Sequence, residues 1–242
     1  MRGLPNSASA SYTSGGAWSH ADLLDRCLED GPPATLLAAD QRDRLATYLT
    51  ELLKYNAHTN VYSTSAYDKL PFHVHDSVTL GLLIADAATP DSALLDLGSG
   101  SGLPSLPVAA VCPHLPVFAI ESKSRKTRFL ERAALAMRLS RYMPLTCNVR
   151  EFCRTHYCDA DFVTAKAFKP LPEVAPIAAA CIGAKATLHV PVSEAQVCEL
   201  KLAEHSLRRV GGSFIYHRQV VSASRVTDGR SKVSLSSTFS SL

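Results

Sequence analysis

The sequence of 242 residues has little of several features that would assign a function directly. It contains no apolar run long enough to span a membrane, and its first 20 residues contain no apolar stretch typical of a secretory signal. Aromatic residues are sparse at 7%, and a net charge of +3 permits a nucleic-acid partner without indicating one. We therefore expect a cytoplasmic protein with no membrane partner.

The cysteine pattern also excludes a common class of site. Seven cysteines are present, but no two of them form a CxxC pair. The spacing of Cys147, Cys153 and Cys158 does not match that of a zinc site. We expect no metal, and we expect the cysteines to be reduced, as is usual in the cytoplasm.

Composition and periodicity divide the chain into four parts. Residues 1–19 are rich in Ser, Gly and Ala and predict a disordered arm, and the Ser-rich residues 222–242 predict a flexible tail. Residues 20–90 predict an N-terminal helical segment, in which the apolar positions of 39–59 recur with helical spacing. Residues 91–221 carry the remaining pattern and predict the core domain.

Within the core domain, strand-like and helix-like segments alternate. The first five predicted strands are 93–97, 116–121, 143–148, 161–166 and 186–191. After a predicted helix at 193–205, two further strand-like runs flank Gly211 and Gly212, which is typical of a hairpin. The sequence thus predicts an α/β fold, with a mostly parallel, doubly wound sheet of seven strands whose last strand is reversed. The N-terminal helices should form a layer on this sheet.

The stretch LLDLGSGSGLPSLP at 94–107 is the most informative one. A glycine-rich loop between a parallel strand and a helix lies at the carboxyl edge of the sheet, where ligands bind. A P-loop needs a Gly-Lys-Ser/Thr sequence, which this stretch lacks. The dinucleotide fingerprint G-x-G-x-x-G needs a glycine at 103, but Leu103 is there and Gly102 comes one residue early. Both phosphate-binding motifs are therefore disfavoured.

The glycine spacing instead resembles the first motif of class I S-adenosylmethionine (AdoMet) methyltransferases. That motif combines Asp96 with Gly98, Gly100 and Gly102. AdoMet carries no phosphate but has a cationic amino group and a cationic sulfonium, which suit an acid at the end of the first strand. Glu121 ends the second predicted strand, where an acid that binds ribose hydroxyls is expected. The alternative is a tight turn that holds no ligand, with the acid as a helix cap.

Four segments resemble a more specific family, the bacterial 16S rRNA guanine-N7 methyltransferases of the RsmG (GidB) family. DLGSGSGLPSLPVAAV is similar to the family motif D-V-G-T-G-P-G-L-P-G-I-P-L, including its L-P-x-x-P extension. KYNAHTNVYS (54–63), HVHDS (73–77) and ESKSRKTRFL (121–130) resemble further family motifs in the family order. The resemblance extends from about residue 40 to residue 218.

The resemblance implies a Rossmann-like class I methyltransferase with AdoMet as cofactor and the N7 atom of the guanine at position 527 of 16S rRNA as target. It also implies that the rRNA is bound within the small ribosomal subunit or an assembly intermediate, and we expect a monomer. The family's cofactor contacts, carried over by position, fall on Gly98, Leu103, Glu121, Val149, Arg150 and Lys166. With Asp96, Gly100 and Gly102 they make up the expected cofactor site.

Methylation at N7 of guanine needs no general base, because N7 has a lone pair and no proton. The enzyme has to align the reacting atoms and exclude water, and a carboxylate or carbonyl group would stabilise the cationic product. By resemblance we expect Asn60, His73 and Asp76 to form the wall over the methyl group. The alternative is that Asn60 and Asp76 cap helices and that His73 is a structural hydrogen-bonding group.

A basic cluster of Lys123, Arg125, Lys126 and Arg128 opens the helix after the second strand. It predicts contact with rRNA phosphates, although a solvated helix face would give the same pattern. Phe168 could stack on a base or pack in the core.

The chain departs from the family pattern at several positions. Asn148 replaces an arginine, Arg150 a glutamate and Lys166 an arginine, while Val190 and Pro191 replace a Lys-Gly pair. Lys166 keeps the positive charge but lacks the bidentate guanidinium. Two alternatives therefore stay open, namely a methyltransferase with another substrate and a catalytically weak rRNA-binding protein. A nicotinamide enzyme is disfavoured by the loop spacing.

Overall fold

The computed structural model describes residues 19–29, 36–224 and 229–235. All but one residue of the predicted N-terminal arm lies outside these ranges, as do two parts of the predicted C-terminal tail. None of the helices in the described ranges combines the length and apolar character needed to cross a membrane.

The N-terminal layer includes the helices α1 (His20–Glu29), α2 (Ala39–Asn56) and α3 (Leu70–Ala87). A 3-10 turn, Thr64–Lys69, precedes α3. The helical periodicity predicted for α2 is confirmed, since its buried residues are Leu45, Tyr48, Leu49, Leu52, Leu53 and Asn56. Helix α3 has Pro71 in its first turn, where the missing N–H costs no hydrogen bond.

Nine strands are present in the described ranges. They are β1 (Leu94–Leu97), β2 (Val117–Glu121), β3 (Tyr142–Thr146), β4 (His156–Cys158), β5 (Phe162–Thr164), β6 (Lys185–Val192), β7 (Leu207–Val210), β8 (Phe214–Ser222) and β9 (Ser231–Val233). Seven of them form one sheet in the order β3-β2-β1-β5-β6-β8-β7, while β4 and β9 form a separate parallel pair. Strand β8 is antiparallel to both of its neighbours, and β1, β2, β3, β5 and β6 pair in parallel. The predicted seven-stranded, mostly parallel sheet with a reversed last strand is confirmed.

Five helices connect these strands: α4 (Ser105–Val111), α5 (Ser124–Ala136), α6 (Val149–Thr155), α7 (Leu171–Cys181) and α8 (Glu194–Glu199). Successive residues of each strand face opposite sides, so Leu94 packs with α2 to α5 and Leu95 packs with α6 and α7. The prediction of one helix over 193–205 is wrong. Helix α8 ends at Glu199 because Lys201 has a φ of 50°, which breaks the helical path.

Part of the predicted tail is ordered. Within 222–242, Ser231–Val233 forms β9, which pairs with β4, and Arg230 donates hydrogen bonds to carbonyl oxygens at the ends of α6 and α7. The distance is 2.8 Å to Ala180 O and 3.4 Å to Cys153 O. Backbone pairing and these hydrogen bonds connect this part of the predicted tail to β4, α6 and α7.

The expectation of uniformly reduced cysteines is also wrong. A disulfide joins Cys153 of α6 to Cys181 of α7, and their Cα atoms are 4.7 Å apart. The other five cysteines are free. In the described ranges, no group of three or more His, Cys, Asp and Glu side chains could hold a metal ion.

Candidate active site

A cavity of about 700 Å³ lies at the carboxyl edge of the parallel strands, where the topology of the sheet places ligand sites. Its lining comes from the loops after β1, β2, β3 and β5 and from the N-terminal layer. The lining includes Gly98, Ser99, Gly100, Ser101, Leu103, Glu121, Ser122, Lys126, Asn148, Val149, Arg150, Lys166, Ala167, Phe168, Val61, Tyr62, Ser63 and His73. Seven of the nine predicted cofactor residues are in this set; Asp96 and Gly102 are not.

The three loop glycines have positive φ angles of 74°, 58° and 85°, which favour glycine at Gly98, Gly100 and Gly102. Their surroundings differ. A Cβ atom at Gly98 would lie 2.5 Å from the ring of Phe168, whereas one at Gly100 would meet only a carbonyl oxygen at 3.7 Å. A Cβ atom at Gly102 would overlap the Leu106 side chain. Gly98 and Gly100 therefore shape the cavity, while Gly102 allows the loop to pack on α4.

Glu121 lies where the sequence predicted a ribose-binding acid. Its side chain is buried, and each carboxylate oxygen accepts one backbone N–H, from Gly100 at 3.0 Å and from Lys123 at 2.8 Å. These two bonds fix the carboxylate at the end of β2 and tie it to the glycine loop. Since each oxygen can accept a further bond, the group can also bind hydroxyls in the cavity.

Asp96 does not line the cavity. It is 1% exposed, and one of its oxygens accepts a hydrogen bond from the Thr164 hydroxyl at 2.7 Å. Among the described residues, the other oxygen has no hydrogen-bond partner, and burial raises the pKa of the carboxyl. Asp96 shares the strand face of Leu94, which packs on the helical layer, and its contact with the cofactor, directly or through water, stays a prediction.

The loop after β3 explains one departure from the family pattern. The Asn148 side chain accepts a hydrogen bond from the backbone N–H of Arg150 at 2.9 Å and so caps α6. Val149 is buried in the cavity wall, and Arg150 is exposed at the rim. Both residues line the cavity, and their contact with the cofactor stays a prediction.

Lys166 and Asp76 form an ion pair, with 2.6 Å between the ammonium nitrogen and a carboxylate oxygen. The two side chains are 14% and 5% exposed. Lys166 lines the cavity and also donates to the carbonyl oxygen of His73, while the Tyr216 hydroxyl donates to the carbonyl oxygen of Asp76. Asp76 is not part of the cavity lining but lies behind Lys166 and positions it, and its predicted place over the methyl group stays a prediction.

His73 lines the cavity, as predicted, and its ring nitrogen Nδ1 is 2.9 Å from the Tyr62 hydroxyl. Burial, followed by the positive charge of Lys166, lowers the pKa of His73 to about 4. The imidazole is therefore neutral at physiological pH. Tyr62 was not predicted, and it forms the adjoining part of the wall.

Asn60 is exposed and lies outside the cavity lining, and its predicted role in the wall stays a prediction. Asn56, at the end of α2, holds this segment instead. Its amide oxygen accepts from the N–H groups of Val61 and Tyr62, and its amide nitrogen donates to the Tyr62 carbonyl and the Tyr67 hydroxyl. An asparagine on the apolar face of a predicted helix was the available signal, because a buried amide needs such partners.

The basic cluster divides between the cavity and the surface. Lys126 lines the cavity, whereas Lys123, which directly precedes α5, and Arg125 and Arg128 on α5 are exposed. In the part of the chain that the structure describes, none of the four takes part in an ion pair. Phe168 both lines the cavity and packs against the core, which leaves both interpretations of this residue open.

Comparison with known proteins shows which protein family this chain is similar to. Residues 41–209 match the model of the family described as rRNA small subunit methyltransferase G. The protein of that name from Myxococcus xanthus is 32% identical over 180 residues, which cover 72% of this chain and 81% of the relative. The corresponding protein from Syntrophotalea carbinolica is 28% identical over 171 residues, covering 70% and 77%. Among solved structures, TrmN from Thermus thermophilus is 21% identical with a TM-score of 0.46, covering 72% of this chain and 53% of that one.

Proposed function

Because the chain belongs to the rRNA small subunit methyltransferase G family, we propose that it transfers a methyl group from AdoMet to N7 of the guanine at position 527 of 16S rRNA. We also propose that the protein is a cytoplasmic enzyme and that it acts as a monomer on the small ribosomal subunit or on one of its assembly intermediates.

The observation that carries this proposal is the arrangement of Glu121 and the glycine loop around one cavity at the carboxyl edge of the sheet. The side-chain-free face of Gly100 allows a ligand to approach the backbone, while the lack of a side chain at Gly98 makes room for Phe168 in the cavity wall. The fixed Glu121 carboxylate can accept hydrogen bonds from two ribose hydroxyls, and buried Val149 offers an apolar surface to a base. The volume of about 700 Å³ lies within the usual range of cofactor sites. These residues fit AdoMet.

When bound, AdoMet supplies an electrophilic methyl group on a sulfonium. The protein's own residues then have to orient the guanine and exclude water, because N7 needs no deprotonation. Tyr62 and His73 form part of the cavity wall, and Phe168 forms another part beside Gly98. The charge of Lys166 is balanced by Asp76, so this ion pair adds no net positive charge beside a base that becomes cationic.

The exposed basic residues of α5 provide the path to the rRNA. Lys123, Arg125 and Arg128 continue from Lys126 at the cavity onto the surface, so that phosphates flanking the target guanine can bind them. Replacing the three exposed residues by alanine should weaken subunit binding and reduce its salt dependence while leaving AdoMet affinity unchanged. Arg208→Ala on the edge strand β7 is the control, since Arg208 is also exposed but far along the sheet.

The deciding experiment is to map N7-methylguanine in 16S rRNA from cells with and without this gene. We expect the modification at position 527 to disappear on deletion and to return with the wild-type gene. It should not return with Gly98→Val, because a branched side chain at φ 74° collides with Phe168 and intrudes on the cavity. Persistence of the modification after deletion would refute the proposal. Methyl transfer by the purified enzyme to other molecules only would favour another substrate, and a lack of AdoMet binding would favour an rRNA-binding protein.

A further inference from the structure

The hydrogen bonds around Tyr62 determine the protonation of His73. The Tyr62 hydroxyl lies 3.1 Å from the carbonyl oxygen of Ala66 and 2.9 Å from His73 Nδ1. A carbonyl oxygen can only accept, and the Tyr62 hydroxyl, which donates to Ala66, has a single proton to give. The hydroxyl oxygen can then only accept from His73, and Nδ1 has to carry the ring proton.

A neutral imidazole with its proton on Nδ1 has a lone pair on Nε2. His73 is neutral because burial and the nearby Lys166 lower its pKa to about 4. Among the described residues Nε2 has no hydrogen-bond partner, and it is not one of the fully buried unpartnered atoms. Because His73 lines the cavity, Nε2 is an acceptor available to a ligand there.

The two edges of guanine differ in what they offer to such an acceptor. N7 and O6 are acceptors, while N1 and the 2-amino group are donors. When N7 faces the cofactor, the donor edge faces away from it and towards other walls of the cavity. Adenine has an acceptor at N1 and no 2-amino group, so it would place a lone pair against the lone pair of His73.

We propose that His73 Nε2 accepts a hydrogen bond from N1–H or from the 2-amino group of the target guanine, and that this bond makes the site select guanine over adenine. This inference rests on the proposed function, since it requires a purine substrate in the cavity. Tyr62 acts through His73 as a positioning residue, because it fixes the tautomer that the bond needs.

The bond should contribute to the rate as well as to binding. Methylation at N7 puts positive charge on the purine, which makes its N–H groups stronger donors as the reaction proceeds. The hydrogen bond to Nε2 is therefore stronger in the transition state than in the bound substrate, and its loss should lower kcat more than it raises KM.

The tautomer can be measured without any substrate by ¹⁵N-NMR correlation spectra of the histidine rings. We expect the proton of His73 on Nδ1 and that of His75 on Nε2, because Nε2 of the buried His75 lies 3.2 Å from a carbonyl oxygen of Cys27. The two residues lie on the same helix and provide opposite patterns in one sample. Tyr62→Phe should mix the tautomers of His73 and leave His75 unchanged. A wild-type His73 protonated on Nε2 would overturn the inference.

Kinetics on small subunits with guanine or adenine at the target position test the base selection. His73→Phe should lower kcat on guanine about tenfold and reduce the preference for guanine, with AdoMet affinity and melting temperature unchanged. His73→Gln, which restores a neutral acceptor, should recover part of the selection. An equal loss of guanine selection in His73→Phe and His73→Gln, or an unchanged guanine preference in His73→Phe, would contradict the proposed role of His73. Failure of the wild-type enzyme to methylate 16S rRNA would overturn the proposed function itself, and with it the role in base selection, whatever tautomer NMR shows.

Discussion

Replacing Glu121 by glutamine is the sharpest test of the cofactor site, because the structure fixes what each of its oxygens does. One oxygen accepts the N–H of Gly100 and the other the N–H of Lys123. A glutamine side chain offers one oxygen and one NH₂ group, so it can satisfy only one of these donors. The other backbone N–H then faces a second donor in a buried position.

The expected losses follow from these bonds. A buried donor without an acceptor costs about 1–3 kcal/mol, so the free energy of unfolding of the cofactor-free protein should fall by about that amount. Hydrogen bonds from ribose hydroxyls to a carboxylate contribute about 1.5–3 kcal/mol, so the Kd for AdoMet should rise about 10- to 150-fold. Calorimetric titration measures the second quantity and denaturant unfolding the first.

Glu151→Gln is the matched control, since Glu151 is an exposed acid on the nearby α6 and its replacement changes the net charge equally. We expect this variant to retain wild-type affinity and stability. If Glu121→Gln binds AdoMet as tightly as Glu151→Gln does, the assignment of the ribose site to Glu121 is refuted.

Three further predictions concern stability and can be checked by denaturant unfolding. Gly102→Ala should lower the free energy of unfolding clearly more than Gly211→Ala does, although both positions have positive φ, because only Gly102 is surrounded by core side chains. Equal losses of stability in the two variants would contradict the packing role of Gly102. Asp76→Asn should lower the free energy of unfolding by about 3 kcal/mol, because it leaves the charge of Lys166 buried and unpaired. Adding Lys166→Met should recover most of this stability, and a double variant that is no more stable than the single one would argue against the ion pair. Burial lowers the pKa of His189 from 6.5 to about 4, so the unfolded state binds more protons between these values and stability should fall as the pH drops through this window. The decrease in the free energy of unfolding between pH 7 and pH 5 should be about 2 kcal/mol smaller in His189→Leu than in the wild type. If this decrease is the same in both proteins, His189 is not the group responsible.

The parts of the fold that depend on local pattern could be predicted from the sequence. The alternation of strands and helices gave the seven-stranded sheet and its reversed strand, because each element carries its own periodicity. The place of Glu121 followed from the same logic, since the carboxyl ends of parallel strands meet at one edge of the sheet.

The parts that depend on contacts between distant segments could not be predicted. The partner of Lys166, Asp76, lies 90 residues away on helix α3, and no spacing in the sequence indicates the pair. Asp96 has the right position for a cofactor contact, but the helical layer on its strand face buries it. Asn60 and Asn56 are both asparagines of one motif, and only the path of the segment after α2 shows that Asn56 is the one that organises the wall.

The bond between Tyr216 and Asp76 has a consequence for the order in which the protein can become active during its synthesis. Tyr216 lies on the last strand of the large sheet, 140 residues after Asp76, and Asp76 in turn holds Lys166 at the cavity. A nascent chain that has emerged only as far as β6 contains every residue of the cavity lining. It still lacks β8, whose Tyr216 binds Asp76, the ion-pair partner of Lys166. We therefore expect nascent chains that end before β8 to lack the finished site, so that the enzyme becomes competent only once nearly all of it has left the ribosome that makes it.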